Sequence, residues 1–316
     1  MSKFKIRHIT RYSYEGYVRD SANQIMLYPL EDDFQEILQH VIVVSANPMI
    51  HIHVDYYGNK VGTFTNAQAH NELVIDSQLV VITKNRFMPE ETEPAEKQWN
   101  DLRNLALNLE YIDFLRQERF HSFEELGKII SAERSKNLTP LESAKNFCQY
   151  VFDTFLYRKG ITTVETTVDE IWEIKSGVCQ DFAHILLVML RLISIPSRYV
   201  SGYICPNKSG MRGEGATHAW VEAYIPFYGW IGLDPTNNCV VNETHVRLAV
   251  GKNFSDCSPV KGTYRGSSNH TLEVAVSVSY EDGLVSNQEN EIVYSTPTTS
   301  SYSNSFRKHQ EMQMQQ

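Results

Sequence analysis

Alternation of apolar and polar positions dominates the first ~85 residues, the period of a half-buried strand. Ile50, Ile52 and Val54 alternate with His51, His53 and Asp55, and Tyr57-Gly58-Asn59-Lys60 supplies a turn after them. Tyr12, Tyr14 and Tyr17 mark an early aromatic strand region; Val41–Val44, Leu73–Ile75 and Leu79–Ile82 are short apolar runs. These predict a small antiparallel, sandwich-like β domain over residues 1–88. Asn85 to Ala95, with Pro89 and Pro94, reads as a linker.

The pattern then turns helical. Ser122-Phe123-Glu124-Glu125 and Thr139-Pro140-Leu141-Glu142 have the form of capping boxes, the second with proline at the first helical position. Behind it Ala144, Phe147, Cys148, Val151 and Phe155 fall at helical spacing, which makes Cys148 a core residue. Thr167-Val168-Asp169-Glu170 opens a shorter helix that Gly177 can end. Phe182 to Ile193 is apolar on most sides, as a central buried helix is, and Pro196 stops it. Strands are predicted at 198–204, 218–225, 230–233, 246–250 and 272–280. Residues 89–285 thus read as helices followed by antiparallel strands, an α+β unit. Residues 286–316, rich in Ser, Thr, Asn and Gln, read as a disordered tail.

Composition narrows the function. A net charge of -9 without a basic cluster argues against a nucleic-acid partner. No apolar run reaches the ~18 residues that cross a bilayer, so no membrane partner is expected. The first residues carry charge but no apolar stretch of the signal-peptide kind. Five scattered cysteines without a C-x-x-C pair fit the reducing cytoplasm. There is no H-E-x-x-H motif and no acidic calcium loop, so neither a metal nor another cofactor is expected.

The candidate chemistry lies in Cys179, His218 and Asp234. Cys179 stands after Gly177 and ahead of the apolar helix, so its sulfur sits at a helix N-terminus, where unpaired N–H groups favour an anion. That dipole contributes only ~0.3–2 kcal/mol, so a thiolate nucleophile also needs a histidine, and His218 opens a later strand. Asp234 ends the next strand, where it could accept the Nδ1 hydrogen of His218 and fix its tautomer. A hairpin centred on Pro226–Gly229 sets Asp234 across from about residue 221, so a bulge or register shift must carry it toward His218. Singly, each residue is ordinary: a cysteine before an apolar helix is a core residue, a strand histidine is structural, and Asp-Pro-Thr is a turn.

Together with their neighbours they are not ordinary. Gly177-Val178-Cys179-Gln180-Asp181-Phe182-Ala183-His184, Thr217-His218-Ala219-Trp220 and Gly232-Leu233-Asp234-Pro235-Thr236, in that order, resemble the core of the bacterial transglutaminase-like superfamily, which includes cysteine-protease-like members. His8-Ile9-Thr10-Arg11-Tyr12 and Asp55-Tyr56-Tyr57-Gly58-Asn59 resemble that family's N-terminal β domain. The resemblance spans residues 3 to 280. It implies a papain-like core with Cys179 as nucleophile, His218 as base and Asp234 as orienting carboxylate. Lys252-Asn253-Phe254 replaces the family's usual Arg-Asp-aromatic run, away from those three. By analogy with animal transglutaminases, Tyr157 is a candidate oxyanion donor, although a helix-end packing role fits it equally. Gln180 and Trp220 are candidates for the substrate cleft, although a strand tryptophan is more often a core residue, and Asp181 is one for a first-turn acid or a partner of Arg198. The expected activity is cleavage of a peptide or isopeptide amide through a thioester, with a peptide or protein as partner. The alternatives are protein-glutamine cross-linking and a non-catalytic binding module.

Overall fold

A computed structural model describes residues 1–280, except 89, 118–119, 135–136, 164–165, 206–210, 214–215 and 267–268, together with 291–295. The chain runs β1 (Ser2–Ile25), β2 (Gln35–Val44), β3 (His51–Val54), β4 (Lys60–Asn66) and β5 (His70–Thr83), then helices α1 (Ala95–Leu105), α2 (Leu109–Leu115), α3 (Phe123–Arg134) and α4 (Pro140–Thr154). There follow β6 (Leu156–Tyr157), α5 (Val168–Ile174), β7 (Ser176–Gly177) and α6 (Cys179–Leu192). The last part holds β8 (Ser197–Ile204), β9 (Thr217–Ile225), β10 (Gly229–Asp234), β11 (Cys239–Val240), β12 (His245–Gly251), α7 (Phe254–Cys257), β13 (Val260–Arg265), β14 (His270–Tyr280) and β15 (Glu291–Ser295). The α+β class read from the sequence holds.

The N-terminal sheet is organised by β1, longer than its sequence pattern suggested. The first half of β1 pairs with β5 on one side and β14 on the other. After a register break between Ser13 and Val18, its second half pairs with β4 and β13. One strand thereby serves two layers, which close over Phe4, Tyr12, Ile25, Leu73 and Val81. Residues 260–280, which follow the second unit in sequence, complete this first one instead. The reason is their alternation: Leu272, Val274, Val276 and Val278 are buried on one face against β1. Within the segment read as a tail, Glu291–Ser295 is a fifteenth strand paired with β14; the rest of that segment lies outside the described residues. β3 also differs from expectation. All four of its residues are exposed: it is an edge strand, paired among the described residues only with β4, and its alternation buries nothing.

The second unit wraps helices around the apolar α6. Capping boxes at Thr139 and Thr167 start α4 and α5 as their sequences dictate. α5 ends earlier than Gly177 would allow, because Lys175 takes the left-handed cap conformation (φ 47°), with its ammonium over the Trp172 ring. A five-stranded sheet, in the order β11-β10-β9-β8-β12, packs Ala219, Val221, Ala223 and Leu233 against α6.

The two units meet at β12, an edge strand of that sheet. Gln35 accepts from the Arg247 N–H (2.8 Å) and donates to its carbonyl (2.9 Å). Asn59 does the same for Val250. Beside them Glu222 is clamped by Arg198 (2.6 Å) and Arg247 (3.3 Å), and Asp32 of the N-terminal unit pairs with Arg247 and Arg86. Burial would raise the Glu222 pKa, but the guanidiniums of Arg198 and Arg247 bring it down to about 2.

Candidate active site

Cys179 is the first residue of α6. Val178 before it is extended, and the turn is held by Asp181, whose Oδ2 accepts from the Val178 N–H (2.8 Å) and the Thr162 hydroxyl (2.6 Å). Asp181 is therefore a first-turn acid, as one of its two expected roles had it. It is not the partner of Arg198, which goes to Glu222. Gly177 is required beside it: a β-carbon there would lie 2.3 Å from Asp181 Oδ2. The short parallel pairing of β6 with β7 fixes Gly177 from the other side.

His218 and Asp234 come together through strand register. The β9–β10 ladder pairs Leu233 with Val221, so its continuation sets Asp234 opposite Trp220, not opposite 221. That one-residue difference decides the geometry, because a slip of one turns a side chain to the other face of a sheet. Opposite Trp220, Asp234 shares a face with His218, two residues away along β9. The Asp234 Oδ2 lies 2.8 Å from His218 Nε2, and both side chains are shielded from solvent. The bonded nitrogen is Nε2, not Nδ1 as the sequence reading had it. Nδ1 is left buried without a hydrogen bond, and Cys179 lines the same crevice as His218. Burial disfavours the imidazolium, but the Asp234 carboxylate, by charge and hydrogen bonding, and Cys179, by charge, outweigh it and raise the His218 pKa to about 10. Burial likewise pushes Asp234 up, and His218 and His245 hold it well below the carboxylate range.

Asp234 makes a turn and an ion pair at once. Its Oδ1 accepts from the N–H groups of Thr236 (2.9 Å) and Asn237 (3.3 Å), the Asx turn that Asp-Pro-Thr foretells. Its Oδ2 takes His218, the Asn237 side chain (2.7 Å) and His245 (3.4 Å). Asn237 also holds the backbone of Arg212, and Gly213 passes over the His218 ring so closely that a β-carbon would lie 3.0 Å from Nδ1. The φ of Gly213, +82°, lies in the left-handed region that favours glycine. Neither His245 nor Gly213 was given a part beside the triad from the sequence. A glycine in a loop and a histidine eleven residues after Asp234 carry no spacing signal.

Cys179, Gln180, Thr217 and His218 line one narrow crevice, with Tyr199, Ser201 and Phe254 among its walls. Gln180 lies in that lining. Trp220 is not in that lining. It is fully buried with Val200 and Val250, filling the space that Gly202 leaves open on β8, and its ring lies 6.3 Å from that of His218. Tyr157 is half-buried, edge-on to Phe182, and is likewise not in the crevice lining. Cys148, Cys205 and Cys257 are buried, and burial raises their thiol pKa values well above the ordinary range.

One crevice is thus lined both by the cysteine at the head of α6 and by the carboxylate-held His218. Residues 129–235 match the model of the transglutaminase-like superfamily, and residues 4–82 that of the bacterial transglutaminase-like N-terminal region. The chain belongs to the transglutaminase-like superfamily. An uncharacterised protein of Mycobacterium leprae is 29% identical over 285 residues, 88% of this chain and 99% of the relative. A protein-glutamine gamma-glutamyltransferase of Pseudomonas aeruginosa is 36% identical over 73 residues, 22% of this chain and 11% of the relative. Among solved structures, a putative cysteine protease from Cytophaga hutchinsonii shares the fold with a TM-score of 0.69 at 21% identity, covering 93% of this chain and 98% of that one.

Proposed function

We propose that the chain is a cysteine enzyme that hydrolyses a peptide or isopeptide amide through a thioester on Cys179. The observation that carries this reading is the shielded His218–Asp234 pair, which shares one crevice with Cys179 at the start of α6. His218 held as imidazolium keeps a thiolate partner in place. The thiolate attacks the amide carbonyl, and the oxyanion is met by the N–H groups of the first turn of α6, that of Cys179 among them. Tyr157 would serve as a second donor only after moving toward the crevice. The imidazolium gives its Nδ1 proton to the leaving amine; neutral His218 then takes a proton from water, which resolves the thioester. Asp234 keeps the ring oriented throughout. The same reading places the enzyme in the reducing cytoplasm, where a thiol nucleophile persists.

Transfer of the acyl group to an amine, the alternative, uses the same residues, and the Pseudomonas transferase favours it by its name. Incubation with a glutamine peptide and an excess of primary amine separates the two. Release of free acid supports hydrolysis; dominant incorporation of the amine overturns it. A fold-retaining binding module would give neither product, and Cys179→Ala would then change nothing but the thiol count.

A further inference from the structure

Asp234, Cys239 and His245 each offer one ligand atom, and the three atoms lie within 4.8 Å of one another. We propose that these residues form an inhibitory site for a thiophilic divalent cation such as zinc, which binds by taking Asp234 from His218. Three features support it. The donor set, one sulfur, one nitrogen and one oxygen, is that of zinc. The Nε2 of His245 stands 3.4 Å from Asp234 Oδ2, long for a hydrogen bond but matched to the edge of a tetrahedral zinc site, about 3.3–3.6 Å from metal–ligand lengths of ~2.0–2.3 Å. Cys239 lies directly across from Asp234 in the β10–β11 ladder. It is half-exposed where its partners are buried, so the ion can enter from that side and the thiol can move to close the site.

The protons balance. Cys239 is a neutral thiol in the free protein, its pKa pushed up to about 12 by burial and by the Asp234 charge, and it releases its proton to solvent as the Zn–S bond forms. His245 Nε2 gives up its hydrogen, and Nδ1 takes one, with Thr244 Oγ1 as acceptor 3.3 Å away. No oxidant or reductant enters. The cation then draws on the Oδ2 that held His218 in place.

Cation binding stands on geometry alone; its effect on turnover rests on the acyl-transfer reading. The probe is Co2+, whose thiolate charge-transfer band reports a sulfur ligand and ignores surface histidines such as His51 and His53. The expected result is a band in the wild type and in Cys179→Ala, lost in Cys239→Ala and in Cys239→Ser, with unchanged far-ultraviolet circular dichroism. A band that survives the Cys239 substitutions, or disappears with Cys179→Ala, places the metal elsewhere and overturns the proposal; so does no band in any variant. Where a substrate is turned over, zinc that halves the wild-type rate should leave Cys239→Ala at its metal-free rate. A protein that shows the band without turnover contradicts the proposed activity and leaves the site intact.

Discussion

The side-chain amide of Asn59 pairs with both backbone groups of Val250, at 2.8 Å each, as a neighbouring strand would. The N-terminal unit thereby covers an edge that β12 would otherwise present to any other strand. Asn59 is 1% exposed, so Asn59→Ala strands a buried N–H and a buried carbonyl. We expect a loss of about 1–3 kcal/mol per stranded group, read by urea denaturation. Val250 lies five residues past His245, so the reactivity of Cys179 should fall with it. A variant as stable as the wild type would show that water replaces Asn59 freely.

Gly177 and Asp181 are matched in size. Gly177→Ala drives a methyl against the Asp181 carboxylate and should cost roughly 1–3 kcal/mol of stability. Asp181→Asn keeps the shape and an oxygen to accept from Val178 and Thr162, so it should cost less stability than Gly177→Ala. A Gly177→Ala variant as stable as the wild type would contradict a steric fit.

Asp234→Asn removes the charge that keeps His218 protonated. The His218 pKa should fall well below about 10, and turnover should drop on the order of 10²–10⁴-fold, as when other histidine-orienting carboxylates become amides. Nuclear magnetic resonance titration of the His218 ring measures the first, steady-state kinetics the second. A ring that still titrates near its wild-type value would remove Asp234 from the account.

Acid stability should depend on His8. Its ring is buried between Tyr203 (2.9 Å) and Thr10 (3.2 Å), and burial lowers its pKa to about 4 against an ordinary 6.5. The unfolded chain binds the proton first, so the contribution is complete above pH 6.5 and is lost as pH falls toward 4. The loss is about 3 kcal/mol. His40 shifts the same way, so the comparison to make is wild type against His8→Asn, whose stability should decline less across that window. Parallel curves would sink the assignment.

Much of this was legible in the residues. α6, with Cys179 at its head, follows from a dense apolar run after a glycine, and the strands of the second sheet from short alternating segments. The union of β13 and β14 with β1 was not legible, because a period-2 pattern says that a strand is half-buried and not which strand it joins. The His218–Asp234 contact was beyond hairpin arithmetic for a related reason. Its midpoint was uncertain by half a residue, and one residue of register decides the face. Trp220 was misplaced as a cleft residue because the glycine that makes room for it, Gly202, lies on another strand.

The central claim is that Cys179 is an activated nucleophile and that His218 activates it. Its most direct measurement is the rate of iodoacetamide alkylation at pH 7, resolved by cysteine through mass spectrometry, in the wild type and in His218→Ala. The account predicts that Cys179 reacts faster than the half-exposed Cys239, although Cys179 is only 6% exposed, and that His218→Ala abolishes the advantage. Cys179 reacting no faster than Cys239 in the wild type, or equally fast without His218, would contradict it.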